Sequence, residues 1–541
     1  MFIKTKTFLK VTVLIILLLL TSIPVMSQTN PPTRPERSGQ TQEVQSPETR
    51  KAFIPENRAF SVTRHQVVID GKAVPYTATA GEITVLKPDE TPGALMFFVA
   101  YTRDDVKDKS SRPIMFCFNG GPGSSTIWLH LGGIGPKRVA MDDNGYPLKT
   151  PAVAADNEFS LLDVTDLVFV DAVSTGYSRP LPGQDRSQFH GVEEDGNAFA
   201  DFIRQFLTRF DRWSSPKFLL GESYGTTRAA VLSGILQSRT HGIYLNGIIL
   251  LSSVLDFTTL SFAPGNNLSY VIFLPHYTAT AWYHKKLPAV HQNRELEAVL
   301  TEAREFAANE YLPALFKGNL LPPEQFETIA KKISELTGLS VEYVKNSNLR
   351  IRHDRFAKEL LRERRLTVGR LDSRFTGKDS DAAGESYEYD PSSAVIMGSF
   401  SSSLNNYLGT MLNYKKEISY AVYGNVQPWN FNFQPAQQRL PGLTRSQTRS
   451  SRDGFLNVAE TLRQAMAENT ALKIFCCNGY YDGATPFFGT EYTFSQLMLD
   501  GSFKERVRMG YYEAGHMMYI HRPSLKKLKH DLAAFIAWAS R

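Results

Sequence analysis

The apolar positions of this chain change rhythm along its length, and the changes outline its architecture. From about Phe60 the pattern is that of strands: Val67-Val68-Ile69, Ile83 to Val85 and Met96 to Tyr101 are short β-type runs, and Asp70-Gly71 supplies a hairpin turn. Two unbroken apolar runs follow, Ile114 to Phe118 and Leu167 to Val170. Ala198, Phe199, Phe202, Ile203, Phe206, Leu207 and Phe210 then recur at helical spacing. Phe218-Leu219-Leu220 is strand-like again, a helical stretch runs to Leu236, and Ile248 to Leu251 makes a further strand. Unbroken runs alternating with amphipathic helices predict an α/β fold, a mostly parallel sheet covered on both faces by helices.

The alternation stops between about Pro264 and Phe400. There Leu296, Val299, Leu300, Ala303, Phe306 and Ala307 predict one amphipathic helix. Phe326, Ile329, Ile333 and Leu336 predict a second, stopped by Gly338, and a charged third helix falls near Phe356 to Arg365. The α/β rhythm resumes at Leu472 to Cys477, and Leu525, Leu528, Leu532 and Phe535 predict a closing helix. The expected organisation is a core over 56–263, a helical cap insertion over 264–400, and the rest of the core over 401–541.

Two segments precede the core. Residues 1–27 read as a signal peptide: Lys4, Lys6 and Lys10 form the positive end, Val11 to Leu20 the apolar centre, and Val25-Met26-Ser27 the small-residue site. An uncleaved anchor is the alternative, and would be the chain's only tie to a membrane. Residues 28–55, rich in Pro, Ser, Thr, Gln and charge, predict a disordered leader. The expectation is an exported protein, periplasmic or secreted.

Composition narrows the function classes. The 541 residues are 42% hydrophobic and 21% charged, with a formal net charge of +6. That is an ordinary globular balance, and the basic residues are scattered, so nucleic acid is not an expected partner. The three cysteines, Cys117, Cys476 and Cys477, lie in apolar runs; an odd count with two adjacent is no disulfide framework, and they read as buried core residues. No His or Cys pair stands at metal-ligand spacing, and no metal or other cofactor is expected. Oligomeric state is not legible.

The chemistry is carried by three short stretches. GESYG, Gly221 to Gly225, follows the Phe218–Leu220 strand and opens a helix, the context of a nucleophile elbow that pushes Ser223 out of the sheet. A serine hydroxyl needs a base, and in elbow proteins the chain order is serine, acid, histidine. Downstream, Asp482 sits in IFCCNGYYDGATP just beyond a strand, and His516 sits in YYEAGHMM between a strand and the final helix. Asp482 could equally be a turn residue in an Asp-Gly pair, and His516 a structural loop histidine. Acyl transfer builds charge on an oxygen that needs two fixed amide donors. One is the amide after the nucleophile, Tyr224; the other must come from a neighbouring loop. NGGPGSS, Asn119 to Ser125, follows the Ile114–Phe118 strand and exposes bare backbone suited to that task.

NGGPGSS, GESYG, the Asp482 loop and AGHM around His516 together resemble the serine carboxypeptidase family of α/β-hydrolases. NEFSLLDVTDLVFVDAVSTGYS, Asn157 to Ser178, and the helical insertion share the likeness, which covers most of the chain from about Phe60. The resemblance implies an α/β-hydrolase fold, a Ser223–His516–Asp482 triad, and an oxyanion hole from the amides of Gly121 and Tyr224. It implies that Asn119, Gly120 and Glu222 hold the free C-terminal carboxylate of a peptide, and that the enzyme is a serine-type carboxypeptidase acting through an acyl-enzyme. An esterase or acyltransferase on the same triad is the alternative; an inactive binding protein is disfavoured by the intact motifs. The chain departs from the family in two places. Cys117 stands where a tryptophan is usual, and Gly133 stands where a second glutamate is usual. Either Glu222 then works alone with Asn119 or another group, such as His130, substitutes. With no second negative charge to raise the pKa of Glu222, activity on free-acid peptides should decline from a lower pH than in relatives with the pair.

Overall fold

The computed structural model describes residues 59–433, 455–497 and 500–541. The signal peptide, 1–27, and the leader, 28–55, expected from the sequence lie outside the described residues. The central sheet is built from β1 (Ser61–Ile69), β2 (Lys72–Leu86), β3 (Pro92–Arg103), β4 (Ile114–Phe118), β5 (Asp166–Val170), β6 (Lys217–Ser223), β7 (Gly247–Ser253), β8 (Lys473–Gly479) and β9 (Val507–Tyr512). Their spatial order is β1-β2-β3-β5-β4-β6-β7-β8-β9. The first three form an antiparallel meander, joined antiparallel to β5; from β5 onward every neighbouring pair is parallel.

The unbroken apolar runs are explained by two core layers. Met115, Cys117, Phe169, Leu220, Leu251 and Cys477 face one layer, where Leu525, Leu528, Leu532 and Phe535 of the closing helix pack. Ile114, Phe116, Phe118, Val168, Leu219, Leu250 and Cys476 face the other, under Phe199, Phe202 and Phe206. Every position of such a strand is inside, so alternation disappears. The same period of two sends the adjacent Cys476 and Cys477 to opposite faces, and all three cysteines are free and buried.

The helices that bear on the site are, in chain order, α1 (Val192–Arg209), α2 (Tyr224–Gln237), α3 (Leu268–Tyr283), α4 (Leu296–Phe306), α5 (Pro323–Thr337), α6 (His353–Glu359), α7 (Pro391–Thr410) and α8 (Arg522–Ala539), with further helices, Ala459–Glu468 and Phe487–Ser495 among them, and turns between. α3 to α6 share a core of their own, built on Phe273, Tyr277, Val299, Phe306, Ile333 and Phe356. α5 ends at Gly338, which takes φ +70° and donates its amide back to Ser334. α7 crosses residue 400, and its Ile396, Phe400, Leu404 and Tyr407 pack into the layer beneath the sheet.

The chain leaves β4 toward β5 on one side and returns as β6 on the other. That reversal opens a crevice at the carboxyl ends of β4 and β6, the place where open α/β sheets bind ligands.

Candidate active site

β4 and β6 are hydrogen-bonded neighbours with Phe118 opposite Gly221. The loop after one strand and the elbow after the other are therefore side by side. Ser223 ends β6 with φ +61° and ψ −129°, a backbone conformation that residues with a Cβ seldom adopt, and α2 begins at the next residue. As first residue of the helix, Tyr224 has an amide with no intrahelical acceptor. The two loops touch backbone to backbone: a Cβ on Gly120 would stand 2.4 Å from the Tyr224 amide nitrogen. Only glycine fits there, and Gly121 beyond it is exposed.

Asp482 and His516 meet at the ends of β8 and β9. The His516 Nδ1 and Asp482 Oδ2 are 2.8 Å apart, with Asp482 fully buried. Asp482 Oδ1 accepts from the amides of Ala484 and Thr485 at 2.8 and 2.9 Å, and the Thr485 hydroxyl donates to Oδ2 at 2.8 Å. Burial alone would raise the Asp482 pKa, but His516 and the Thr485 donors bring it below the ordinary value. Burial works in the opposite direction on His516, and the Asp482 carboxylate outweighs it, leaving the imidazole above its usual pKa. With Nδ1–H donated to Asp482, Nε2 is left as the acceptor. The backbone of His516 is fixed as well: its amide donates to Leu371 at 2.6 Å and its carbonyl accepts from the Ser252 hydroxyl at 2.7 Å. One anchor comes from the insertion and the other from β7.

Glu222, beside Ser223, is buried. Its Oε2 accepts from the Tyr519 hydroxyl at 2.7 Å, and the Asn119 side chain also bonds to it. Burial pushes its pKa up to about 7, against the pull of His516, Tyr519 and Asn119 and with a small contribution from Asp482. Desolvation thus raises Glu222 without a second carboxylate. His130 does not substitute for the missing glutamate. Its ring stacks on Phe169 at 4.4 Å and its Nε2 pairs with the Tyr101 hydroxyl at 2.5 Å, where burial drops its pKa to about 3.

The geometry thus gathers Asn119, Gly120, Gly121, Glu222, Ser223, Tyr224, Asp482 and His516 around the β4–β6 crevice. Sequence reasoning missed Tyr519, Thr485 and the Leu371 strap. Thr485 was accessible, since a hydroxyl three residues past an aspartate is a common turn partner. Tyr519 lies in an apolar run, HMMYI, where nothing distinguishes it from core. Among the described residues, no group of three His, Cys, Asp or Glu could hold a metal ion, and no helix is long and apolar enough to cross a membrane.

Residues 73–288 match a family model described as serine carboxypeptidase. Over 135 residues the chain is 31% identical to the pheromone-processing carboxypeptidase KEX1 of Saccharomyces cerevisiae, covering 24% of this chain and 17% of that protein. It is 26% identical over 165 residues to serine carboxypeptidase-like 29 of Arabidopsis thaliana, 30% of this chain and 32% of the relative. The aligned stretches thus span less than a third of either relative. The crystal structure of the Saccharomyces cerevisiae prohormone-processing carboxypeptidase Kex1 superposes with a TM-score of 0.50 at 16% identity, covering 85% of this chain and 91% of that one. The mostly parallel sheet with flanking helices is the α/β-hydrolase fold.

Proposed function

We propose that this chain, which resembles the serine carboxypeptidases most clearly over residues 73–288, is an exported serine-type carboxypeptidase that releases C-terminal residues from peptides. The observation that carries the reading is the placement of Glu222, buried and bonded to Asn119 and Tyr519, immediately before the elbow serine. A carboxyl group that stays protonated up to about pH 7 can donate a hydrogen bond to a substrate carboxylate. A neutral ester or an internal peptide bond has no use for it.

In this reading the Ser223 hydroxyl attacks the scissile carbonyl carbon while His516 Nε2 takes its proton. Asp482 holds the imidazole tautomer and stabilises the imidazolium. The oxyanion is met by the amides of Gly121 and Tyr224. Collapse breaks the C–N bond, and the leaving amine takes the proton from His516. Water then attacks the acyl-enzyme, giving up a proton to His516 that returns to Ser223 as the shortened peptide acid departs. Asn119, Gly120 and Glu222 hold the free carboxylate of the departing residue, which sets the cut one residue from the end.

The test is the purified protein on a blocked dipeptide, its C-terminal amide and a simple ester. A carboxypeptidase cleaves the free acid well and the amide poorly. Equal turnover of acid and amide, or turnover of the ester alone, would replace this reading with an esterase or acyltransferase.

A further inference from the structure

Tyr519 lies three residues past His516, in the short turn Met518–Ile520 that precedes α8. It is fully buried, and its ring lies flat against two glycines. A Cβ on Gly132 would stand 2.3 Å from the ring edge, and one on Gly133 would stand 2.5 Å from the Tyr519 Cβ. No side chain fits at 132 or 133 while Tyr519 is in place. The phenol crosses from this seat to Glu222 Oε2, 2.7 Å away and 297 positions distant in sequence. The Asn119 side chain bonds to both members of the pair. Nothing in the triad or the oxyanion loop requires such an arrangement.

We infer that Tyr519 is a positioning residue for carboxylate recognition: seated on Gly132 and Gly133, its hydroxyl donates to Glu222 Oε2 and so leaves the substrate-binding proton to Oε1. This rests on the reading of Glu222 as the carboxylate-binding group. A phenol has one proton to give, and here it is spent on Oε2. An oxygen that accepts a hydrogen bond is the poorer place for a proton, so donation from Tyr519 to Oε2 favours protonation of Glu222 on Oε1, the oxygen the phenol does not touch. Tyr519 itself is held well above its ordinary pKa, first by burial and then by Glu222, and does not titrate in the working range. The charged and titratable groups facing Glu222 are His516 and Asp482 from the strand ends, Tyr519 from the turn, and Tyr423 from the segment that pairs with the glycine loop. The recognition proton is then a single one on Glu222, tuned by a neutral donor.

Tyr519→Phe keeps the ring packed on Gly132 and Gly133 and removes only the hydroxyl. The measurement is kcat and KM against pH on a blocked dipeptide free acid, its amide and an ester. For the free acid, KM should rise several-fold with kcat little changed, the order expected for a lost hydrogen bond between neutral groups, about 1 kcal/mol. The alkaline limb should move to higher pH, because phenol donation favours the ionised carboxylate and its loss raises the Glu222 pKa. Ester turnover should stay within about twofold, as no transition-state contact is touched. Gly133→Ala, which displaces the ring and keeps the hydroxyl, should reproduce the free-acid defect. Wild-type cleavage of acid and amide equally would overturn the carboxylate reading and this inference with it. Undiminished preference and an unmoved limb in Tyr519→Phe would overturn the inference alone, as would equal loss on acid and ester.

Discussion

Arg228, on the helix that begins beside the elbow serine, donates from Nη1 to the carbonyl of Asn119 at 2.7 Å. Its Nε donates to Asp195 Oδ2 at 2.6 Å, and its plane lies over the Phe199 ring at 4.4 Å. All of this is buried. One guanidinium thereby ties the start of the glycine loop to α2 and to α1, and so ties the proposed oxyanion loop to the helix that follows Ser223.

Two outcomes follow for Arg228. A lysine has one point charge and no fork, and cannot serve Asp195 and Asn119 together. Arg228→Lys should lower kcat/KM by roughly tenfold on ester and free acid alike, the scale of one charged hydrogen bond lost from a loop both reactions use. Arg228→Ala leaves Asp195 buried and unpaired, and should cost about 3–5 kcal/mol in urea denaturation. An Ala variant with an unchanged midpoint would mean that the pair supports neither fold nor loop.

Ser223 combines strain and chemistry. Ser223→Ala should abolish turnover on every substrate, and a serine-directed phosphonylating reagent should label Ser223 alone. Ala keeps the Cβ at φ +61°, whereas glycine tolerates that conformation. Ser223→Gly should therefore be more stable than Ser223→Ala by about 1 kcal/mol or more, read as a higher thermal midpoint. Labelling at another serine would remove Ser223 from the mechanism.

The pH dependence should differ between substrates. His516 sits above its ordinary pKa because Asp482 and Glu222 outweigh its burial, so it is protonated and idle as a base at low pH. Glu222 loses its proton as pH rises through about 7. Free-acid peptides need His516 neutral and Glu222 protonated, and the two titrate as a coupled pair. Their kcat/KM should trace a bell, with the acid limb set by His516 above the ordinary histidine value and the alkaline limb by Glu222 at about 7. Esters need only neutral His516, and should rise to a plateau with no alkaline limb in that range. Glu222→Gln, neutral at all pH, should remove the limb for free acids. The same bell for both substrates would show that Glu222 does not meet the carboxylate.

Much of this was legible in sequence for a physical reason. Strands such as Ile114–Phe118 and Lys473–Gly479 are buried on both faces and announce themselves as unbroken runs. The elbow and glycine loop are local: each needs particular residues within a few positions. The long β2 was visible only at Ile83 to Val85, because the Thr-Ala alternation of Thr77 to Ala80 uses small residues with little apolar contrast. α7 escaped because its SFSSSLNNY stretch gives a weak apolar stripe, although Phe400 and Leu404 are buried beneath the sheet. The Tyr519–Glu222 and Arg228–Asp195 bonds join distant positions, and no local pattern records a partner. Burial, the cause of the raised Glu222, is likewise a property of the assembled core.

The last expectation concerns stability in acid. His276 of α3 and His353 of α6 are buried with ring centroids 5.6 Å apart, and His353 packs against Gly483, next to Asp482. Neither His353 nitrogen has a hydrogen-bond partner, and the Nε2 of His276 has none. Asp482, Asp372 and the Tyr480 carbonyl face His276; His276 itself and Arg370 face His353. Burial lowers His276 to about 4 and His353 well below its ordinary 6.5. Below pH 6.5 the unfolded chain takes protons that the folded one refuses. The stabilisation from both rings is thus full above about pH 6.5 and is lost as pH falls, for His276 toward about 4. At roughly 1.4 kcal/mol per pH unit for each ring, a single histidine removes about 2 kcal/mol by pH 5. His353→Phe keeps an aromatic ring between Phe273 and Tyr277 and cannot take a proton. The variant should therefore lose less stability than wild type between pH 7 and pH 5 in urea denaturation. Parallel losses in wild type and variant over that range would show that the buried ring does not set the acid limit.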